Sequence, residues 1–333
     1  VKQDNARRWV ELGLLALLAL WPLGTTLGWY SPFYFSLMTR IVIFGVALLG
    51  YDLAAGYTGL VSFGHALFIG LGGYAAGLVL VKLAPTLGLD PGLWLWLALG
   101  TSVLVSAVAA VVVGFLALRT RGIYFVFLTL AFGQFAYLVA WNWLGFTGGD
   151  NGLTGIPQVS LALPGLRLEL SDAGTYYYFV LVVFALSYAL CRRVVQSPFG
   201  RILVGIEQNE KRTAYLGYPV IRYKRRVFLL SGVLGGLAGG LYALLQGFVS
   251  PDLLHWHLSG DIILMTWLGG VGTLIGPVLG GFIYLFVGNW LSTLFARWQI
   301  VMGLLFVFFV LFSPRGMVGL VQQGWRRLWG SST

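Results

Sequence analysis

SPFGRILVGIEQNEKRTAYLGYPVIRYKRR, residues 197–226, decides how the chain is read, because it is polar where almost everything around it is apolar. Ser197 suits a helix N-cap, with Pro198 at the first helical position. Gly217 follows the last turn, and Pro219 forbids continuation. The spacing between them predicts one helix of about four turns. Ile202, Leu203 and Ile206 form its partly apolar face, and Glu207, Asn209, Glu210, Lys211 and Arg212 its charged one. From 192 to 226, nine basic residues stand against two acidic ones. Such an element either lies on anionic lipid or docks a protein while its flanking spans hold it parallel to the membrane. The mixture of charges favours the protein.

The remainder belongs in a bilayer. Apolar residues make up 58% of the 333 and charged residues 10%, whereas a soluble domain carries about 25% charged residues. Runs near the roughly 20 residues that one crossing needs fall at 9–28, 38–56, 61–82, 92–118, 122–144, 175–195, 226–247, 260–271, 276–296 and 299–314. The expected fold is an all-α polytopic membrane protein of about ten (8–10) transmembrane helices, one domain over 1–333. Segment 260–271 is too short to cross alone; followed by GGVGTLIGP, it reads as a half-helix, a tilted helix or a re-entrant element.

Charge sets the expected orientation. With the N-terminus inside, 17 of the 21 Lys and Arg face the cytoplasm, leaving Arg40, Lys82, Arg167 and Arg297 outside or near the outer face. Asp90, Asp150, Glu169, Asp172, Asp252 and Asp261 then also lie outside. Both termini and a loop at 197–224 are cytoplasmic, and a periplasmic loop spans 145–174. There VSLALPGLRLEL alternates around Pro164 and Gly165, predicting a small β-hairpin with a type II turn, either a lid or a docking surface. The net charge of +10 therefore reflects cytoplasmic loops and membrane lipid, not nucleic acid. The apolar run from Trp9 to Trp21 lacks an Ala-x-Ala site and reads as a first anchor. The single cysteine, Cys191, excludes an internal disulfide.

Catalytic signals are thin. His255 and His257 in DLLHWHLSG have no third ligand nearby, so an interfacial loop anchored by Trp256 is expected rather than a metal site. Ser62 and His65 are three apart but lack a third catalytic group. The chain is expected to be no enzyme and to bind no cofactor. Asp52 is the clear acid within a predicted span, either a gate residue or a helix-end acid held by backbone. That scarcity argues against a self-powered carrier.

Glycine supplies the packing argument. SGVLGGLAGGLYALLQG puts Gly232, Gly236 and Gly240 on one face, with Gly235, Gly239 and Ala243 adjacent; GLGGYAAG repeats the device with Gly73 and Gly77. GYTGLVSFGH (56–65) and GGVGTLIGP (269–277) are faintly alike, as paired helix breaks along a substrate path can be.

GYTGLVSFGHALFIGLGGY, TRGIYFVFLTLAFGQ, TGGDNGLTGIP, SPFGRILVGIEQNEKRTAYLGY, LLQGFVSPDLLHWHLSGDIILMTWLGGVGTLIGPVLGG and FSPRGMVGL together resemble the LivM-type permeases of branched-chain amino-acid ABC importers over most of the chain. That resemblance implies an inner-membrane subunit moving branched-chain or other hydrophobic amino acids inward by alternating access. Its implied partners are a second homologous permease, two ATP-binding subunits that hold ATP and Mg, and a periplasmic binding protein. It makes the cytoplasmic segment an ATPase-coupling helix, with Ser197, Pro198, Gly200, Arg201, Gly205, Glu207, Asn209, Glu210, Ala214 and Gly217 at the matching positions. The Glu-Ala-Ala-Gly importer signature is only echoed by Glu210, Ala214 and Gly217. The expected pathway residues are Asp52, Gly59, Ser62, His65, Gln134, Asn151, Thr266 and Gly272. A urea or short-amide permease of the same superfamily, or a stand-alone secondary carrier, are the alternatives.

Overall fold

Ser31 and Pro32 open the first long helix, α1 (Pro32–Thr58), which ends where Gly59 turns left-handed at φ 68° and returns its N–H to the last carbonyls. The computed structural model describes residues 31–312 except 89–90, 164–165 and 295–296, together with 13, 18–22, 24 and 316–317. After α1 come α2 (His65–Leu78), α3 (Pro91–Ala117), α4 (Ile123–Asn142) and α5 (Ala173–Gln196). They are followed by α6 (Pro198–Gln208), α7 (Glu210–Tyr215), α8 (Val220–Gln246), α9 (Trp256–Gly269), α10 (Ile275–Leu294) and α11 (Trp298–Phe312). A wide π-turn at Val79–Leu83 and a short helix at Ala84–Leu87 prolong α2. Strands β1 (Ser160–Leu163) and β2 (Leu166–Glu169) pair antiparallel, Ser160 opposite Glu169. The turn expected at 164–165 and most of the span expected at 9–28 lie outside the described residues.

Seven of the described helices are long and apolar enough to cross a bilayer: α1, α2 with its extension, α3, α4, α5, α8 and α10. The protein is therefore a multi-pass membrane protein. α9 and α11 hold 14 and 15 residues, a rise of only about 21–22 Å against a hydrocarbon core of about 30 Å. Leu104, Val108, Phe127, Leu138, Val182 and Leu186 are exposed on α3, α4 and α5. An apolar surface of this extent marks contact with lipid or protein, not water.

Helices α1, α2 and α8 are the most buried and form the centre. Without side-chain bulk, α2 and α8 touch backbone to backbone. A methyl group on Gly72 would fall on the Gly236 carbonyl, and one on Gly239 would fall on the Ile69 carbonyl. Gly232, Gly236 and Gly240 instead receive α3, through Ala110, Ser106 and Ser102. The Ser102 and Ser106 hydroxyls donate to the Gly72 and Phe68 carbonyls at 2.8 and 3.0 Å, locking α3 across the seam. The glycine stripe of α8 thus serves two partners, one on each adjacent row.

Beyond α8 the chain folds back along α2 before becoming helical again. Leu254 lies where a Cβ on Gly70 would be, and the Ser259 hydroxyl accepts from the Ala66 N–H at 2.9 Å. Segment 247–255, which holds a short 3-10 helix at Pro251–Leu254, and α9 thus descend together, so the element expected at 260–271 is a half-helix continued by non-α backbone. Such backbone is tolerated at membrane depth when packed in protein; Pro251, Leu253 and Leu254 are buried. A two-residue bridge, Leu153 with Val249, ties the loop after α4 to this segment.

α5 begins at a good cap. The Asp172 carboxylate accepts from the Thr175 N–H at 2.8 Å and from its hydroxyl at 3.0 Å. These bonds, the backbone one first, hold its pKa below the ordinary carboxylate range. A depressed pKa means the cap's contribution is complete above the unfolded value and is lost only as pH falls through the lower folded one.

Candidate functional site

The opening stretch forms a platform at one end of the bundle. The Ser197 hydroxyl accepts from the Gly200 N–H at 3.3 Å and Pro198 sits at the first turn, so the cap read from sequence is real. The single four-turn helix is not. Asn209 leaves helical geometry (φ −160°, ψ 98°) and its side chain accepts from the Arg212 N–H at 2.9 Å, starting α7 as a separate helix. An asparagine that caps a new helix competes with continuation of the old one.

Leu203 and Ile206 are buried, fixing α6 beneath the ends of α1 and α5. Gly200 lets α6 start against α5, since a methyl there would strike the Val195 and Val194 carbonyls. Gly205 leaves room for the Thr213 hydroxyl of α7. Glu210 does not point outward as its charge pattern predicts. It pairs with Lys224 of α8 at 2.7 Å and lies 3.9 Å from Arg121 beyond α3. It braces the platform to α8 and to the loop after α3. Arg201, Glu207, Asn209 and Ala214 are exposed, as are Tyr215 (88%), Leu216 (71%) and Gly217.

Behind the platform lies a buried polar cluster at the α1–α2 junction. The Asp52 carboxylate accepts from the Gly272 N–H at 2.7 Å and the Leu274 N–H at 2.9 Å, clasping the break between α9 and α10. Gly56 permits this approach: a methyl there would fall on both Asp52 and the Gly272 N–H. The two glycine-rich breaks flagged by sequence therefore meet in space.

Ser62 and His65 do not form a dyad. The Ser62 hydroxyl accepts from the Gly64 N–H at 3.2 Å. The His65 Nε2 lies 3.2 Å from the hydroxyl of Ser231, whose proton goes to the Gly50 carbonyl at 2.6 Å. The hydroxyl must then accept from His65, which places the imidazole proton on Nε2. Ser231→Ala leaves the His65 Nε2–H buried without an acceptor, while the Gly50 carbonyl keeps its helical partner within α1, an expected loss of about 1–3 kcal/mol. Thermal unfolding in detergent, against wild type, measures it.

The other expected pathway residues are dispersed. Thr266 is buried, its hydroxyl donating to the Ile262 carbonyl at 2.7 Å. Gln134 is half-buried on α4, and Gly59 is exposed at the end of α1. Asn151 is exposed beside Leu153, which packs against Gly77. His65 and Gly77 are twelve residues apart on one helix, about 18 Å, so Asn151 belongs to the other end of the bundle.

Sequence reasoning missed several participants. Ser102, Ser106, Ser231 and Ser259 each make an interhelical bond from a buried hydroxyl, and isolated serines in apolar runs were the available signal. Arg40 lies eight residues into α1, and Asp261 lies within α9, bonded to Tyr284 of α10 at 2.5 Å. His255 caps α9, its Nδ1 accepting from the His257 N–H at 3.4 Å. Burial, then the charge of His257, pushes its pKa below the usual imidazole value. The ring therefore stays neutral and able to accept.

The family model described as branched-chain amino acid transport system / permease component matches residues 33–310. The chain is 28% identical over 331 residues to the high-affinity branched-chain amino acid transport system permease protein LivM of Salmonella typhimurium, covering 93% of this chain and 75% of that one. It is 23% identical over 274 residues to a probable branched-chain amino acid transport permease protein LivM of Methanocaldococcus jannaschii (74% and 77% covered). Over 277 residues it is 29% identical to the autoinducer 2 import system permease protein LsrC of Yersinia pestis (80% and 74% covered). No solved structure matches the chain.

Proposed function

Because the chain belongs to the branched-chain amino acid transport permease family, we propose that it is the membrane subunit of an ATP-driven importer that moves branched-chain or other hydrophobic amino acids inward by alternating access. Its partners are a second homologous permease, two ATPase subunits and a periplasmic binding protein. The chain sits in the inner membrane with both termini in the cytoplasm, as one domain of about ten crossings that includes α9, α11 and residues 9–28. The basic end carrying α6 and α7 is cytoplasmic, since Lys and Arg accumulate on that side; segment 145–174, with its β-hairpin, is periplasmic.

The observation that carries the reading is the platform itself. A short helix pair is rigidly braced by Lys224–Glu210, seated under α1, α5 and α8, and presents Tyr215 and Leu216 to the outside. Exposed aromatic and apolar side chains on a rigid support are what a docking partner covers. Ser197, Pro198, Gly200, Gly205, Asn209 and Gly217 shape it; Arg201, Glu207 and Ala214 are candidates for contact; Glu210 is a brace. Motion of the ATPases would reach Asp52 and Gly272 through α1. Ser62, His65 and Thr266 would support that junction, while Gly59, Gln134 and Asn151 remain the candidates for contact with the cargo.

The test is purification of the tagged chain from native membranes in mild detergent, with co-purifying subunits identified by mass spectrometry. Tyr215→Asp with Leu216→Asp should release the ATPases while leaving the second permease bound. Retention of the ATPases by the double variant overturns the docking assignment. Recovery of the wild-type chain alone, still accumulating substrate in vesicles without ATP, would establish a stand-alone carrier. Uptake of labelled leucine against urea by the reconstituted complex decides between amino acid and amide cargo.

A further inference from the structure

At the end of the bundle that carries the platform, two cations meet without an anion. Arg119, just past α3, and Arg225, in the second turn of α8, reach the same ring from different helices. Their guanidinium carbons lie over Phe115, 4.3 and 5.0 Å from its centre. All three side chains are exposed. Among the described residues neither arginine makes a hydrogen bond or an ion pair. Glu210 is already engaged, by Lys224 at 2.7 Å and by Arg121 at 3.9 Å. Stacking on a ring leaves the in-plane N–H donors of a guanidinium group free. Two such groups, drawn together against their own repulsion, present those donors to one place.

The face of α3 that leads to this ring is apolar and open. Leu104, Val108, Val111, Val112 and Phe115 are all exposed. Their steps of three and four put them on one side of the helix, with Arg119 one turn further on. From Leu104 to Phe115 the helix rises about 16 Å, close to half of a hydrocarbon core about 30 Å thick. The stripe therefore matches the depth of one leaflet and ends in paired cations. A phospholipid has the complementary parts in the same order, an acyl chain and then a phosphate.

We infer that Arg119 and Arg225, held over Phe115, form a headgroup site for an anionic phospholipid. The two forks take the phosphate oxygens, one from the α3 side and one from the α8 side. The acyl chain lies along Leu104, Val108 and Val111. A zwitterionic phospholipid offers the same phosphate, but it brings an ammonium group towards Arg121 and Lys224, two further cations at this end. An anionic headgroup is therefore preferred.

The test uses the full chain purified in mild detergent with its co-purifying subunits and stripped of loosely held lipid. Binding of labelled phosphatidylglycerol is titrated, with phosphatidylcholine of the same acyl chains and inorganic phosphate as competitors. Binding should saturate, phosphatidylcholine should compete about tenfold more weakly, and phosphate should not compete. Arg119→Gln with Arg225→Gln should weaken binding about tenfold or more. Arg222→Gln with Arg226→Gln removes the same charge from the same end of α8 and should leave binding nearly unchanged. If the first pair is not recovered monodisperse, Arg119→Lys with Arg225→Lys keeps the charge without the fork and should lose several-fold; wild-type affinity there overturns the site. Equal competition by phosphatidylcholine, or equal weakening by the two glutamine pairs, overturns it in favour of unspecific adhesion. Displacement by inorganic phosphate at the lipid's own concentration overturns it in favour of a soluble anion. Unchanged lipid affinity in Arg119→Gln with Arg225→Gln, accompanied by loss of a co-purifying subunit, overturns it in favour of that subunit.

Discussion

Replacing Asp52 by alanine is expected to abolish ATP-driven import in the reconstituted complex. Its carboxylate is the acceptor for two backbone N–H groups, of Gly272 and Leu274, at a helix break that has no turns of its own to satisfy them. Hydrogen bonds to a charged group contribute about 1.5–3 kcal/mol each, so loss of both should cost roughly 3–6 kcal/mol. The break between α9 and α10 would loosen, and α1 would hold it by packing alone. Asp52→Asn is expected to be milder, since its amide oxygen can keep one N–H while its NH2 faces the other. Thermal unfolding should therefore rank wild type, Asn and Ala in that order, with import falling in the same order. An alanine variant of unchanged melting temperature and import would show that the clasp holds nothing.

Gly239→Val is expected to yield no folded protein after detergent extraction. The new Cβ would fall on the Ile69 carbonyl and lie 2.9 Å from the Gly73 N–H, both backbone groups unable to move aside alone. α2 and α8 would have to separate along their length, exposing the contacts of Gly72, Gly235 and Gly236 as well. In lipid, close packing is the principal force holding such helices together, so little remains once it is lost. The control is Gly100→Ala on α3, where nothing lies within 4 Å of the added methyl; it should be recovered like wild type. A monodisperse Gly239→Val protein at wild-type yield would refute the backbone seam.

How far the sequence reached can be seen residue by residue. Ser197 and Gly217 behave as their local chemistry dictates, because a cap or a left-handed turn depends on a few neighbouring atoms. The glycine faces of α8 are legible for the same reason: helical period alone assigns them. Asn209 is harder to read because the apolar spacing of Ile202 and Ile206 runs smoothly into a charged segment, hiding a cap inside an apparent helix. Arg40 and Asp261 sit deeper in their helices than the expected span bounds of 38–56 and 260–271 put them. α1 begins at Pro32, six residues before the expected span, which puts eight helical residues ahead of Arg40. α9 begins at Trp256 because His255 caps it, which draws Asp261 inward. Asp52 and Gly272 are 220 positions apart. Two similar loops hint that these regions are related, but local likeness carries no information on which distant groups touch.

The π-turn at Val79–Leu83 has a further meaning for chain length. A π-turn holds one residue more than the α-helical turn it replaces, and each residue turns an α-helix by about 100°. Everything after it is therefore rotated about a quarter-turn from where an unbroken helix would put it. Within the widened turn itself, Lys82 reaches the Gly145 and Phe146 carbonyls with its amine at 2.9 and 3.1 Å. The turn acts as a one-residue phase adjustment between the packed lower part of α2 and the loop after α4. A chain with one residue deleted here could close into plain α-helix and keep its packed part intact, but Lys82 would point elsewhere and that loop would lose its anchor.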